Sequence, residues 1–224
     1  MKFFIIIKEQ SERIDKKNFQ LLGNRPLWQH LIFELRDHDV YIDTDSETVI
    51  EDCKGFDWVS AYPRKQKFID FEDSNINNLS PALMMIDNFL DQHVEDDNEI
   101  IITTHVTSPF LKINTILDAV KILEQDDMYD SVHSVTKHHE FSWLGDTMEP
   151  INFKPNVIQK TQDLPVITMS NGGFFIFKKK LFKEMNNRIG KMPYYYTLNT
   201  PEDIEIDNSN DLKLARLVKR GLCN

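Results

Sequence analysis

The feature that most constrains this chain is an alternation repeated along much of its length. Short apolar runs rich in Ile, Val and Phe are followed by segments whose apolar residues recur every three or four positions. A strand that is apolar on both sides must be covered on both faces, and helices returning between such strands make neighbours parallel. The pattern predicts an α/β fold: a Rossmann-like, mostly parallel sheet covered by helices, with an inserted arm.

The strands are expected at FFIII (3–7), DVYIDTD (39–45), DWVSAY (57–62), EIIITTHV (99–106), DSVHSVTK (130–137) and NGGFFIFK (171–178). Between them lie helical patterns: PLWQHLIFELRD (26–37), with Trp28, Leu31, Ile32 and Leu35 on one face, SPALMMIDNFLDQHV (80–94) and INTILDAVKILEQ (113–125). Pro26 suits a first helical turn. Residues 138–170 lose the pattern and gather turn residues and aromatics, which marks them as the arm. Residues 1–137 and 171–224 form the core in this reading. The chain closes with a strand-like DIEID (203–207) and a helix SNDLKLARLVKR (209–220), for which Ser209 is the expected N-cap.

Charge then draws attention to the loop after the first strand. The chain carries a formal charge of −10, which argues against a nucleic-acid partner. Yet from Lys8 to Arg25 there are five Lys/Arg against three Asp/Glu. Open α/β sheets bind ligands beyond the carboxyl ends of their strands, so Lys8, Ser11, Arg13, Lys17 and Asn18 are candidates for holding a small anion such as a phosphate chain. A solvated charged turn is the competing reading. The loop has neither the Walker A pattern nor dinucleotide-fingerprint glycines.

Acidic residues supply a second candidate. On a strand, Asp203, Glu205 and Asp207 share one face while Ile204 and Ile206 face the core. Two such acids near a strand end suit Mg²⁺, which needs few protein oxygens; a solvated edge strand is the alternative. Asp43 and Asp45 form a DxD pair like the metal motif of nucleotide-sugar glycosyltransferases, or simply a strand terminus. His105, at the end of the central strand and ahead of Thr107, Ser108 and Pro109, is well placed for ligand contact. The adjacent His138 and His139 do not project as paired ligands. Phe174/Phe175 and Tyr194/Tyr195/Tyr196 read as strand core or arm packing.

Cys53 and Cys223 match no metal or redox spacing and are expected to be reduced thiols. The opening MKFFIII is too short for a signal-peptide core, and no stretch reaches the length of a membrane span, so the expected location is cytoplasmic, without membrane attachment.

These pieces, in their order, resemble a known family. A basic first loop ends in Lys-Asn and is followed by Gly23, Pro26 and Leu27; then come a TD strand end, TSP after the central strand, SVT, QDLP, NG and a late acid-Ile-Asp. This order is similar to the cytidylyltransferases that activate sialic acids and related 2-keto-3-deoxy sugar acids, and the resemblance covers nearly the whole chain. The family's first loop reads roughly A-R-G-G-S-K-G-x-P-x-K-N. The aligned IKEQSERIDKKN has Lys8 for the arginine, matches Ser11, Lys17 and Asn18, and replaces the two glycines by Glu9 and Gln10.

The resemblance implies a nucleotidyltransferase sheet and a reaction in which CTP and a sugar acid give a CMP-sugar and pyrophosphate. Lys8, Ser11, Arg13, Lys17 and Asn18 then bind the nucleotide, with Asn78 and Ser80 near the cytosine. His105, Thr107, Ser108, Lys160, Gln162 and Asn171 contact the acceptor, His105 standing where the family has glutamine. Glu205 and Asp207 hold Mg²⁺, and Lys17 and Asp207 carry the chemistry. The arm is implied to form a homodimer in which Lys160 reaches the partner's site. Three other readings stay open: a glycosyltransferase using Asp43/Asp45, a cytidylyltransferase with another acceptor, and a degenerate CTP-binding protein.

Overall fold

The computed structural model describes residues 1–74 and 80–222. The chain runs β1 (Lys2–Ile7), a short hairpin of β2 (Leu21–Leu22) and β3 (Arg25–Pro26), α1 (Leu27–Glu34), β4 (Val40–Thr44), α2 (Glu47–Cys53), β5 (Val59–Pro63) and α3 (Gln66–Asp73). It continues through α4 (Ala82–His93), β6 (Ile100–Thr104), α5 (Ile113–Gln125), β7 (Ser131–His138), a small hairpin of β8 (Trp143–Leu144) and β9 (Glu149–Pro150), β10 (Ile167–Lys178), α6 (Lys179–Met185), β11 (Pro193–Thr197) and α7 (Ser209–Leu222).

Seven strands form one sheet in the order β11-β7-β10-β6-β1-β4-β5. Strands β6, β1, β4 and β5 are parallel, β10 runs antiparallel to both β6 and β7, and β11 is parallel to β7. The expected mostly parallel sheet is present. Period-2 alternation divides each strand between two cores. Phe3, Ile5 and Ile7 of β1 pack with Trp28, Leu31 and Ile32 of α1 and Ile116 and Ala119 of α5. On the other face, Phe4 packs with Phe68 of α3, Phe89 and Leu90 of α4 and Phe182 of α6. Phe4 and Phe89 stack with ring centroids 4.6 Å apart. Cys53 belongs to the first core, and burial pushes its thiol up to about 12. Cys223 lies outside the described residues.

The order of the strands positions the site. The chain leaves β1 toward β4 and β5, then crosses back to place β6 on the other side of β1. The carboxyl ends of β1 and β6 therefore flank the point where the winding reverses, where such sheets open a crevice.

Several elements differ from the sequence reading. Residues 203–207 form no strand: Ile206 is buried and its N–H donates to Thr107 O at 2.9 Å, but the segment is otherwise a turn at Asp203 followed by residues without regular structure. Alternation survives in Ile206, Glu205 and Asp207 because one buried isoleucine is enough to orient its two neighbours outward. The cap of α7 is Asn208, whose Oδ1 accepts the N–H groups of Asn210 (2.9 Å) and Asp211 (3.3 Å), rather than Ser209. Pro26 precedes α1 as its N-cap. Strand β10 starts at Ile167, inside the range expected for the arm, because Ile167–Ser170 extend its pairing with β7 before a bulge. Helix α3 escaped the sequence reading because Phe68 is its one buried residue. Among the described residues no helix is long and apolar enough to cross a membrane.

Candidate active site

A cleft of about 450 Å³ lies at the reversal point, lined by Ile6, Lys8, Ser11, Arg13, Lys17 and Asn18 from the β1 side and by Ser80, His105, Thr107, Glu205 and Asp207 opposite, with Gln10, Glu12 and Glu72 also contributing. Residues 190 positions apart in sequence meet here: Lys17 Nζ donates to Asp207 Oδ1 at 3.3 Å. Arg13 Nη1 approaches the other Asp207 oxygen at 3.3 Å. Lys17 is mostly buried at the side chain, 16% exposed, so its charge is less screened than that of a surface lysine.

The first loop holds its shape without glycines. Asn18 is buried and its Nδ2 donates to Lys8 O at 2.8 Å. Glu9 N–H donates to Asp45 Oδ1 at 2.7 Å, and the Glu9 carboxylate takes Lys16 Nζ at 3.2 Å. Side chains thus do the folding that a glycine turn would leave to the backbone. Lys16 itself adopts the left-handed conformation, φ 45°, just before the 3-10 turn Lys17–Phe19.

This loop also accounts for the DxD pair. Asp43 is buried and its Oδ1 accepts Arg64 Nε at 2.8 Å; the same guanidinium donates to Ile7 O at 3.2 Å and Glu72 Oε2 at 3.3 Å. Burial raises the Asp43 carboxyl above its usual range, against the pull of Arg64. Asp43 and Asp45 brace the floor and rim of the loop, and neither lines the cleft. Arg64 is the buried tie between the ends of β1 and β4.

Across the cleft, Thr107 Oγ1 donates to Glu205 Oε1 at 3.4 Å, and His105 Nδ1 lies 3.7 Å from the same oxygen. Gly172, at φ 68° in the β10 bulge, passes so close that a Cβ there would sit 3.0 Å from both Glu205 oxygens. The positive φ favours glycine, and a side chain there would press on the Glu205 carboxylate. Glu205 therefore leans toward β6 and β10, and Asp207 toward the cations after β1.

The remaining expected residues lie elsewhere. Ser108 is buried, its N–H bonded to His105 O at 3.1 Å in the turn after β6, and it does not line the cleft. Asn171 accepts Ser134 Oγ–H at 2.6 Å and Gly173 N–H at 3.3 Å, fixing the bulge. Lys160 and Gln162 lie in the arm around the 3-10 turn Thr161–Asp163, away from the lining. Asn78 is outside the described residues. Sequence reasoning missed Asp211, though the Asn208-x-x-Asp211 spacing is a capping-box signal.

Glu205 and Asp207 offer the hard oxygen ligands that Mg²⁺ prefers. Among the described residues no group of three or more metal-ligating side chains exists, so water and phosphate oxygens have to complete any such ion. That donor set suits Mg²⁺, which keeps most of its non-protein ligands, better than Ca²⁺ or Zn²⁺.

Comparison with known proteins agrees with this geometry. The chain is 29% identical over 230 residues to N-acylneuraminate cytidylyltransferase A of Danio rerio, covering 97% of this chain and 50% of that one. It is 23% identical over 216 residues to N-acylneuraminate cytidylyltransferase of Streptococcus agalactiae serotype III (strain NEM316), covering 90% and 49%. The chain thus spans about half the length of these curated relatives. The solved structure of CMP:2-keto-3-deoxy-manno-octonic acid synthetase complexed with CTP superposes with a TM-score of 0.68 at 13% identity, covering 98% of both chains. 4-Diphosphocytidyl-2C-methyl-D-erythritol synthase follows at 0.66 and 7%, covering 97% of this chain and 98% of that one; at these identities both show likeness of fold. The family described as cytidylyltransferase matches residues 5–221, so the sheet, its reversal-point cleft and the loop after β1 are those of a chain that belongs to the cytidylyltransferase family.

Proposed function

We propose that this chain transfers CMP from CTP to a 2-keto-3-deoxy sugar acid of the sialic-acid type, releasing pyrophosphate. The observation that carries the reading is the opposition, within one cleft, of Lys8, Arg13 and Lys17 to the carboxylates of Glu205 and Asp207. The relatives named N-acylneuraminate cytidylyltransferase support the choice of acceptor.

In this reading the acceptor's anomeric hydroxyl oxygen forms a bond to the α-phosphorus of CTP as the bond to pyrophosphate breaks, and the hydroxyl proton leaves to solvent or phosphate. Such a displacement depends on positioning and charge neutralisation. Lys8, Ser11, Arg13 and Lys17 hold the triphosphate, with Lys17 against the leaving charge. Asn18 acts through the loop it closes. Glu205 and Asp207 hold Mg²⁺, which supplies Lewis-acid stabilisation of charge on the phosphoryl oxygens. Ser80 attends the base, and His105 and Thr107 attend the acceptor.

The arm is proposed to join two copies of the chain, bringing Lys160 and Gln162 to the partner's cleft. Its apolar exposure supports this: Trp143, Leu144, Met148, Ile151, Val157 and Ile158 are all exposed. The proposed location is the cytoplasm.

The test is pyrophosphate release from CTP and Mg²⁺ against a panel of 2-keto-3-deoxy sugar acids, with UTP and ATP as controls. Release with CTP and one acid is the expected result. CTP binding without release from any acid would reject the acceptor class, and no CTP binding would reject the reaction.

A further inference from the structure

Arg188, in the segment between α6 and β11, has no counter-charge among the described residues. Its guanidinium carbon lies 3.6 Å from the centroid of the Phe175 ring, and its Nη1 is 3.5 Å from Thr103 Oγ1, at the limit of a hydrogen bond. Among the described residues no carboxylate comes within 4.0 Å of it. Burial pushes its pKa down to about 10, so it remains a cation at neutral pH. A largely desolvated cation is unfavourable unless something compensates it, and the aromatic face does so only in part.

A second unsatisfied group lies on the same ring. His133 is 6% exposed and stacks on Phe175 with centroids 5.4 Å apart, yet its Nδ1 has no partner. Burial first, and Arg188 second, lower its pKa, so a neutral imidazole with one idle nitrogen sits beside an unpaired guanidinium. The sheet dictates this meeting: Phe175 of β10 is in register with Thr103 on β6 and His133 on β7.

This row is set two residues back from the cleft along β6 and is not part of its lining. His105, two residues beyond Thr103, lines the cleft, and Phe175 follows the bulge whose Gly172 touches the Glu205 side. The cations after β1 serve the Asp207 side of the carboxylate pair, whereas Arg188 lies on the β10 side, where Glu205 leans.

We propose that Arg188, with Thr103 Oγ1 and His133 Nδ1 as flanking polar groups, receives the carboxylate of the acceptor. The inference rests on the proposed transfer to a 2-keto acid, and it assigns the acid's counter-charge to Arg188 rather than to His105, whose Nδ1 lies 3.7 Å from Glu205 Oε1. A planar guanidinium backed by an aromatic ring presents its edge for bidentate pairing with a planar carboxylate.

Two measurements test this. The Nε–H resonance of Arg188, assigned by its loss in Arg188→Met, is followed by NMR as pyruvate is added, pyruvate carrying the carboxylate that such an acceptor bears beside its anomeric carbon; glucose and inorganic phosphate are the controls. A saturable shift with pyruvate, absent with glucose and weaker with phosphate, is expected. No shift, or a stronger one with phosphate, overturns the proposal. This readout is independent of turnover, so wild-type silence toward every sugar acid would reject the reaction class while leaving the pyruvate result to decide the site.

Where the wild type turns over an acid, Arg188→Met is expected to raise its KM about tenfold or more, with kcat and CTP affinity little changed and a melting temperature equal to or above wild type. Methionine keeps an apolar cover over Phe175. An unchanged KM, or a large fall in melting temperature with no selective effect on the acceptor, would reduce Arg188 to a packing residue.

Discussion

The Asp211 carboxylate accepts the backbone N–H of Asp207 at 2.9 Å and that of Asn208 at 2.8 Å. With the Asn208 side chain bonded to the first turn of α7, this makes a reciprocal capping box whose acid also fixes the residue facing Lys17 and Arg13. Asp211→Ala is expected to cost about 1 kcal/mol of stability. It should also lower turnover at limiting Mg²⁺ more than at saturation, because Asp207 loses its anchor. Urea unfolding and pyrophosphate release across a Mg²⁺ series check both; a folded variant with an unaltered Mg²⁺ response would separate the cap from the site.

Asp207→Asn separates fold from chemistry. Asp207 is 47% exposed, and ion pairs this open contribute only about 0–1 kcal/mol. The melting temperature should therefore barely move, while turnover falls by about a hundredfold or more if the carboxylate sits at the reacting phosphate. Near-normal turnover would remove Asp207 from the site.

Arg64→Met is expected to do the reverse, acting on the fold. It leaves the buried Asp43 carboxylate without its partner, and breaking such a pair typically costs about 3–5 kcal/mol. Chemical denaturation measures the loss. A change under about 1 kcal/mol would mean that Asp43 takes up its proton with little penalty, as its raised pKa allows.

His30, His93 and His133 all have pKa values lowered from 6.5, in each case chiefly by burial. The unfolded chain, with ordinary histidines, then binds more protons as pH falls below 6.5. Stability rises with pH through that window and is lost on acidification. Thermal unfolding between neutral and mildly acidic pH should show this fall, and His133→Gln should flatten part of it. A flat profile would show that these imidazoles protonate freely in the native state.

The arm makes a prediction of its own. If its apolar residues join two copies, Ile158→Asp should convert a dimer into a monomer, since Ile158 is fully exposed in the single chain. Light scattering at micromolar concentration decides. A monomeric parent protein would end the proposal.

Much of the architecture was legible because it is written locally. The run 113–125 is a helix with those bounds, since Ile116, Ala119, Val120 and Leu123 recur at helical spacing and are all buried. β1 and β6 are apolar on both sides and lie between two layers of helices, as such strands must. The segment 203–207 misled because alternation is necessary for a strand but does not supply a neighbour: Ile206 finds a single backbone bond, to Thr107, and no ladder. Local chemistry also indicated that the loop after β1 was unusually cationic.

Which charges face the cleft was decided only in three dimensions. Asp43 and Asp207 are the same residue type, each set beside an isoleucine in an acid-rich stretch, and sequence makes both plausible metal ligands. Strand order brings Arg64 under Asp43 and buries the pair, whereas Asp207 is left at the rim against Lys17 and Arg13. The same holds for Arg188, unremarkable in sequence until register places Thr103, Phe175 and His133 around it. Hydrophobic periodicity is a property of neighbours along the chain, so the sequence by itself determined the elements and their inner faces. Desolvation and pairing of a charge depend on groups far away along the chain, so only the tertiary structure decided which of them hold the fold together and which remain for a ligand.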